Sequence, residues 1–125
     1  MSGDFDLADL RRILENCREY EPGHPLGRPF MSAYQIAIRF AEVHENHILV
    51  QTLPLGGQGT GNQQSLAQRI AWFLSRATQD AANGIEGGFI SHDCIDELSF
   101  NHANGEVRVS TLKTRPAHSI FRVTG

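Results

Sequence analysis

The sequence predicts an α+β domain in which about three helices pack on one face of a three- to four-stranded antiparallel sheet, a C-terminal β-meander. Two observations predict it. Apolar residues recur mainly with a helical period before Gly84 and with a period of two after it. The pair Asn104-Gly105 lies between two alternating runs and is a strong hairpin signal. Helices followed by a meander favour a layer of helices on one sheet face.

Length and composition fit a single domain over residues 1–125. Hydrophobic residues make up 40% of the chain, charged residues 20%, and the net charge is -3. This charge gives no general attraction to nucleic acid or to an anionic membrane. No window reaches the roughly 18 apolar residues that a membrane span needs. Cys17 and Cys94 are far apart, which favours reduced thiols in the cytoplasm over a disulfide framework.

The first helix is predicted over residues 4–19, and a stiff connector follows it. Leu7, Leu10 and Leu14 form one apolar stripe. This stripe fits a helix laid on the core, and it also fits a helix that binds a partner, because a coiled-coil seam has the same spacing. Prolines and glycines in residues 21–29 end the helix.

The second helix has the clearest start signal. Ser32 and Gln35 match a capping box, in which each side chain bonds to the other's backbone N–H. The helix is predicted to end near His44 and His47, which are three residues apart and share a helix face. Two imidazoles on one face are candidate metal ligands. The alternative is that the dipole at a helix C-terminus favours histidine.

A strand is predicted over residues 48–53, then a glycine-rich loop over 56–61 and a third helix over 62–80, capped by Asn62 or Ser65. A strand, a glycine-rich loop and a helix N-terminus in this order can form a site for a phosphate or a nucleotide, because the first helical N–H groups have no partner inside the helix. The alternative is a polar connector with no ligand. The candidate anion-binding residues are Gly57, Gly59, Thr60, Gly61, Asn62 and Arg69.

The glycine loop resembles, over about six residues, the glycine signature of the tubulin-type GTPases. Gly56, Gly57, Gly59, Thr60 and Gly61 form Gly-Gly-x-Gly-Thr-Gly, which is one residue shorter than that signature. The chain is too short for the GTPase domain and has none of its other motifs, so the resemblance is confined to the loop. A Walker A loop is excluded because no lysine follows the glycines, and the dinucleotide pattern Gly-x-Gly-x-x-Gly is not met.

After Gly84 a strand is predicted over residues 85–90, and residues 91–97 hold the densest group of reactive side chains. Members of this group are His92, Asp93, Cys94, Asp96 and Glu97. A polar turn explains the group, whereas a nucleophile–base pair or a metal site needs a further ligand such as His102. The four candidate metal ligands in the chain are His44, His47, His92 and His102. No spacing among them matches a known motif, so we expect no metal and no cofactor.

The C-terminal part is predicted to form a hairpin over residues 98–112 and a last strand over 118–123. Phe100, Val107 and Val109 are the expected core residues of the hairpin. Arginine and lysine outnumber acidic residues in the last twenty residues, but no aromatic residues are interleaved with them to stack on bases.

Three function hypotheses are consistent with these features. The first is a small non-enzymatic binding or regulatory protein of a bacterial cytoplasm that acts through a protein partner or its own dimer. The surfaces that could bind the partner are the first helix, the proline-rich connector and the edge strand of the meander.

The alternatives are a phosphate or nucleotide site over residues 48–80 and a winged-helix-like DNA binder that uses helix 62–80 and hairpin 98–112. Only Arg69 and Arg76 lie on that helix, so we do not expect nucleic acid as the partner. A hydrolytic role requires the group at 91–97 to converge with another histidine.

Overall fold

A computed structural model describes residues 4–56, 65–103, 105–110 and 118–124, and the α+β class is confirmed. The helices of the described residues are α1 (Leu7–Glu15), α2 (Ala33–Val43), α3 (Ile48–Thr52) and α4 (Leu66–Ala77). The strands are β1 (Met31–Ser32), β2 (Ile85–Phe89), β3 (Glu97–His102), β4 (Gly105–Ser110) and β5 (Ser119–Val123). None of these helices is both long and apolar enough to cross a membrane.

The strands form two antiparallel sheets where one meander was expected. In the first sheet the order is β1-β5-β2, with Met31 opposite Phe121 and Phe89 opposite Ser119. The second sheet is the hairpin β3-β4, in which His102 is opposite Gly105. The chain therefore leaves the first sheet after β2, makes the hairpin and returns to the centre of that sheet as β5.

One face of the first sheet joins the helices in a common core. Phe121 and Val123, two residues apart on β5, are both buried against helix side chains. Leu10 of α1, Phe40 of α2 and Leu74 of α4 are buried in the same cluster. The prediction that helices cover one sheet face is therefore confirmed for α1, α2 and α4.

The predicted start of the second helix is confirmed in detail. Ser32 is the N-cap of α2, and its hydroxyl accepts from the Gln35 N–H at 3.2 Å, while the Gln35 side chain accepts from the Ser32 N–H at 2.8 Å. The first helix is shorter than predicted and runs from Leu7 to Glu15. Its start is set by Asp6, whose carboxylate accepts from the Ala8 N–H, and Asn16 is its C-cap.

The predicted strand over residues 48–53 is wrong, because this segment forms α3. The His47 ring accepts from the Leu49 N–H at 3.1 Å and caps the helix, and the Leu53 N–H bonds to the Leu49 carbonyl at 3.0 Å. Leu49 and Val50 pack against the core while Ile48 is 64% exposed. A run of five mostly apolar residues fits both the period of a strand and the period of a helix. So short a run therefore does not distinguish a strand from a turn of helix.

The third predicted helix begins at the second of its two predicted caps, Ser65. Ser65 caps α4, and its hydroxyl accepts from the Gln68 N–H at 3.1 Å. The alternative cap, Asn62, lies outside the described residues. A helix, and not a strand, therefore precedes the glycine loop.

Candidate functional site

A groove of about 870 Å³ lies between α1, the exposed side of α2 and strand β3. Ile13 and Ile38, both buried, contribute apolar surface to the groove, and the half-buried Met31 lies beside them. Phe30, at the end of the proline-rich connector, also lines it. The volume is within the range of natural ligand clefts, roughly 300–1,000 Å³.

The hairpin forms one side of the groove because it folds back on α2. Phe100 of β3 stacks on Tyr34 of α2 with ring centroids 5.6 Å apart and planes 13° apart. Burial raises the pKa of the Tyr34 phenol, which is consistent with a ring held between the helix and the hairpin. The stack therefore fixes where β3 borders the groove.

Strand β3 presents to the groove the edge that no other described strand pairs with. Ser99, Phe100 and Asn101 all line it, and three consecutive strand residues line one cavity when that cavity runs along the strand edge. The hairpin closes on His102 and Gly105, so these two form a hydrogen-bonded pair. Hydrogen-bonded and non-hydrogen-bonded pairs alternate along an antiparallel ladder, so Ser99 and Asn101 belong to non-hydrogen-bonded pairs. Their backbone N–H and C=O groups therefore point away from β4. Among the described residues, β3 pairs only with β4.

Four of the charged side chains around the groove form two ion pairs. Arg39 contacts Glu42 at 2.9 Å, and Arg12 lies 3.8 Å from Asp9. These pairs are partly exposed, so each adds little to stability. They leave the groove rim polar but close to neutral.

Arg122 of β5 fixes the connector that leads to the groove. Its guanidinium donates to the carbonyl oxygens of Leu26 at 2.6 Å and Arg28 at 3.0 Å. The same group lies 4.2 Å from the centre of the Phe30 ring. Residues 26–30 are thereby held against the sheet, with Phe30 at the groove.

The predicted anion site falls largely outside the described residues. Gly57, Gly59, Thr60, Gly61 and Asn62 belong to that segment, so their role stays a prediction. Arg69 is described, and it contacts Asp4 at 3.3 Å.

The N-terminus of α4 does not offer free N–H groups to an anion. The Leu66 N–H bonds to the Pro54 carbonyl at 2.8 Å and the Ala67 N–H to the Leu55 carbonyl at 3.1 Å. The Gln68 N–H bonds to Ser65. The donors that a helix N-terminus normally supplies are therefore used within the chain.

His44 and His47 serve as packing residues. Both rings lie against Phe40, with centroids 4.6 Å and 5.1 Å from it, and His47 also stacks on Phe5. The capping bond from Leu49 occupies Nδ1 of His47. His102 lies at the end of β3. Within the described chain, no group of three or more His, Cys, Asp or Glu side chains is arranged to hold a metal.

The structure instead brings His92 next to His118, a contact that the sequence did not suggest. Their ring centroids are 5.1 Å apart, and His118 is only 3% exposed. Nε2 of His92 and both ring nitrogens of His118 are buried without a hydrogen-bond partner in the described part of the molecule. Burial, and then the neighbouring His92, lowers the pKa of His118.

Strand register explains this contact. Phe89 is opposite Ser119, and the Ile90 N–H bonds to the His118 carbonyl at 3.0 Å, so the segment after β2 lies beside the residue before β5. The rest of the 91–97 segment is a polar turn, in which Asp93, Cys94 and Asp96 are exposed. Cys17 is half-buried and Cys94 is exposed, and neither forms a disulfide.

Comparison of the chain with models of protein families, with curated proteins and with solved structures finds no match.

Proposed function

We propose that the protein is a non-enzymatic binding domain that takes an extended segment of a protein partner into the groove between α1, α2 and β3. The observation that carries the proposal is the open edge of β3 along the groove. The other groove walls come from α1 and from the end of the proline-rich connector, which are the other surfaces that the sequence suggested for a partner. The free thiols of Cys17 and Cys94 suit a reducing cytoplasm.

Strand addition explains why such an edge binds a peptide. The outward N–H and C=O groups of Ser99 and Asn101 can pair with an extended chain, and main-chain hydrogen bonds then provide affinity independent of its sequence. The apolar surface at Ile13 and Ile38 receives alternate side chains of the added strand. A near-neutral rim favours a segment that is itself close to neutral.

The distribution of charge favours a protein partner over nucleic acid. Arginines that form ion pairs with carboxylates of the same chain are Arg11, Arg12, Arg39, Arg69, Arg108 and Arg122. A phosphate backbone would have to displace these carboxylates, and the chain carries a net charge of -3.

Peptide selection followed by mapping tests the proposal. Peptides selected on the wild-type protein from a random displayed library should shift the amide signals of Ser99 and Asn101 in NMR spectra. Ser99→Pro removes one outward N–H without removing a bond to β4, so it should weaken binding at least tenfold. A second proline substitution such as Ser75→Pro is not a suitable control, because a proline inside α4 would break that helix. Arg76→Ala, on the exposed side of α4, leaves the groove intact and should bind as the wild type does. Shifts centred on α4, or full affinity in Ser99→Pro, would contradict the proposal.

Duplex DNA bound by α4 is a second candidate, and the sheet order favours it. The order helix, strand and then three helices, followed by a sheet β1-β5-β2, resembles that of winged-helix domains if the five-residue α3 is counted as an addition. Helix α4 contains no acidic residue and exposes Trp72 and Arg76. Against it, the hairpin in the position of the wing packs on α2 through Phe100. Fold order alone does not establish function.

A titration of fluorescent random-sequence duplex at about 20 mM and 200 mM salt separates the two candidates. DNA binding predicts affinity that falls steeply with salt and weakens in Arg76→Ala. The groove proposal predicts that Arg76→Ala changes neither the binding of the duplex at the lower salt nor the affinity for peptides.

A further inference from the structure

We propose that His92 and His118 form the protein part of a binding site for a divalent transition-metal cation of the zinc type, with water in the remaining coordination positions. These two side chains carry three buried ring nitrogens that form no hydrogen bond with the described residues. Buried polar atoms without partners are rare, and an ion or water is a common reason for them. Neutral imidazole nitrogens are ligands that zinc, nickel and copper prefer.

The distance between the rings fits a shared metal. A zinc ion lies about 2.0–2.1 Å from a bound imidazole nitrogen, which places it roughly 3.2 Å from the ring centre. Two such rings at a tetrahedral angle have centres about 5.2 Å apart. The observed separation of the His92 and His118 ring centroids is 5.1 Å, with the planes inclined by 57°. The two rings are not hydrogen-bonded to each other through the three buried nitrogens.

The backbone holds both ligands in place before any metal arrives. His118 directly precedes β5, and its carbonyl accepts from the Ile90 N–H at 3.0 Å. The carbonyl of His92 accepts from the Ile95 N–H at 3.1 Å and so closes the turn after β2. Because both backbone segments are held in this way, a cation needs little rearrangement of the chain to bind.

The pair His44 and His47 gives a matched comparison within the same chain. These residues are closer in sequence, but Nδ1 of His47 accepts a backbone hydrogen bond and both rings pack on Phe40. The structure therefore assigns the cation to His92 and His118, which are 26 positions apart in sequence. It does not assign it to His44 and His47, which are three positions apart.

Calorimetric titration with Zn²⁺ tests the site on the full chain, freed of any purification tag and stripped with a chelator. Wild type should bind one Zn²⁺ per chain. His92→Gln and His118→Gln should each weaken binding at least tenfold, whereas His44→Gln should bind as the wild type does. Equal affinity in wild type and His92→Gln, or loss of binding in His44→Gln alone, would overturn the proposal.

A second measurement uses only the wild-type chain, so it does not depend on the folding of a variant. Substoichiometric Cu²⁺ broadens NMR signals of nuclei close to it. The ring signals of His92 and His118 should broaden first, before those of His44, His47 and His102. Uniform broadening of all histidine signals, or first broadening at His44 and His47, would overturn the proposal.

Discussion

Arg122 on β5 and Glu86 on β2 are opposite each other in the first sheet and form an ion pair with Nε and Oε1 2.7 Å apart. Nη1 of Arg122 donates to the carbonyl oxygens of both Leu26 and Arg28. One side chain of the central strand therefore joins both the neighbouring strand and the proline-rich connector, which are far apart in sequence.

Replacing Arg122 should destabilise the fold and release the connector. Arg122→Ala removes charge-assisted hydrogen bonds to two carbonyls and the contact with Phe30, so we expect the free energy of unfolding to fall by about 2 kcal/mol. Urea unfolding followed by circular dichroism measures this change. Limited proteolysis should also cut residues 21–30 faster in the variant.

Arg76→Ala is the matched control for that experiment. Arg76 is exposed on α4, so its replacement should change the free energy of unfolding by less than about 0.5 kcal/mol. Similar losses in the two variants would show that the connector does not depend on Arg122.

Gly56 should not tolerate a side chain. Its φ is +133°, and a Cβ there would lie 3.0 Å from the Tyr34 ring and 3.2 Å from the Ser65 hydroxyl. Gly23 also has a positive φ, +85°, but a Cβ there meets nothing within 4 Å. Both substitutions to alanine carry backbone strain, so the difference between them reports the packing at Gly56 together with the larger strain of its φ. Gly56→Ala should lower the urea midpoint more than Gly23→Ala, and equal midpoints would contradict the described packing.

Local signals in the sequence predicted those elements whose ends are fixed by neighbouring residues. The α2 start follows from Ser32 and Gln35, because both capping bonds span only three positions. The hairpin β3-β4 follows from alternation and a short turn. Both predictions needed no information from distant parts of the chain.

Features set by distant contacts were missed for a physical reason. Strand β1 has two residues and exists only because β5 pairs with it. The proximity of His92 to His118 depends on the register of β2 against β5, with the whole hairpin between them. The groove depends on the stack of Phe100 on Tyr34, which sequence periodicity does not encode. An edge strand of the meander was a candidate surface from the sequence, but its position along a groove, and the role of His118, became apparent only with the structure.

The capping box of α2 should behave as one cooperative unit. Ser32→Ala removes the acceptor for the Gln35 N–H, and we expect a loss of about 1 kcal/mol in the free energy of unfolding. Gln35→Ala removes the reciprocal bond to the Ser32 N–H. Because each bond orients the other side chain, the double variant should lose less than the sum of the single variants, measured by urea unfolding in a double-mutant cycle. Strict additivity would show that the two bonds act independently.

Stability should decrease on mild acidification because of His118. Burial, followed by the proximity of His92, lowers the pKa of this ring from its ordinary value of 6.5. Between the lowered pKa and 6.5, the unfolded chain binds a proton at His118 that the folded chain does not bind, so the free energy of unfolding rises with pH across this window. The stabilising contribution is complete above about pH 6.5 and is lost as the pH falls toward the pKa of the folded state.

Urea unfolding at several pH values between about 5 and 8, in the presence of a chelator, measures this dependence. His118→Gln should flatten the slope of the unfolding free energy against pH, since it removes the shifted group. His44→Gln, which replaces a histidine that packs on Phe40, should retain the slope. An unchanged slope in His118→Gln would show that other groups cause the acid sensitivity. In that case the protonated ring of His118 would have to be solvated by water or hydrogen-bonded to an acceptor in solution. Burial disfavours the charged form of the ring only where such a partner is missing.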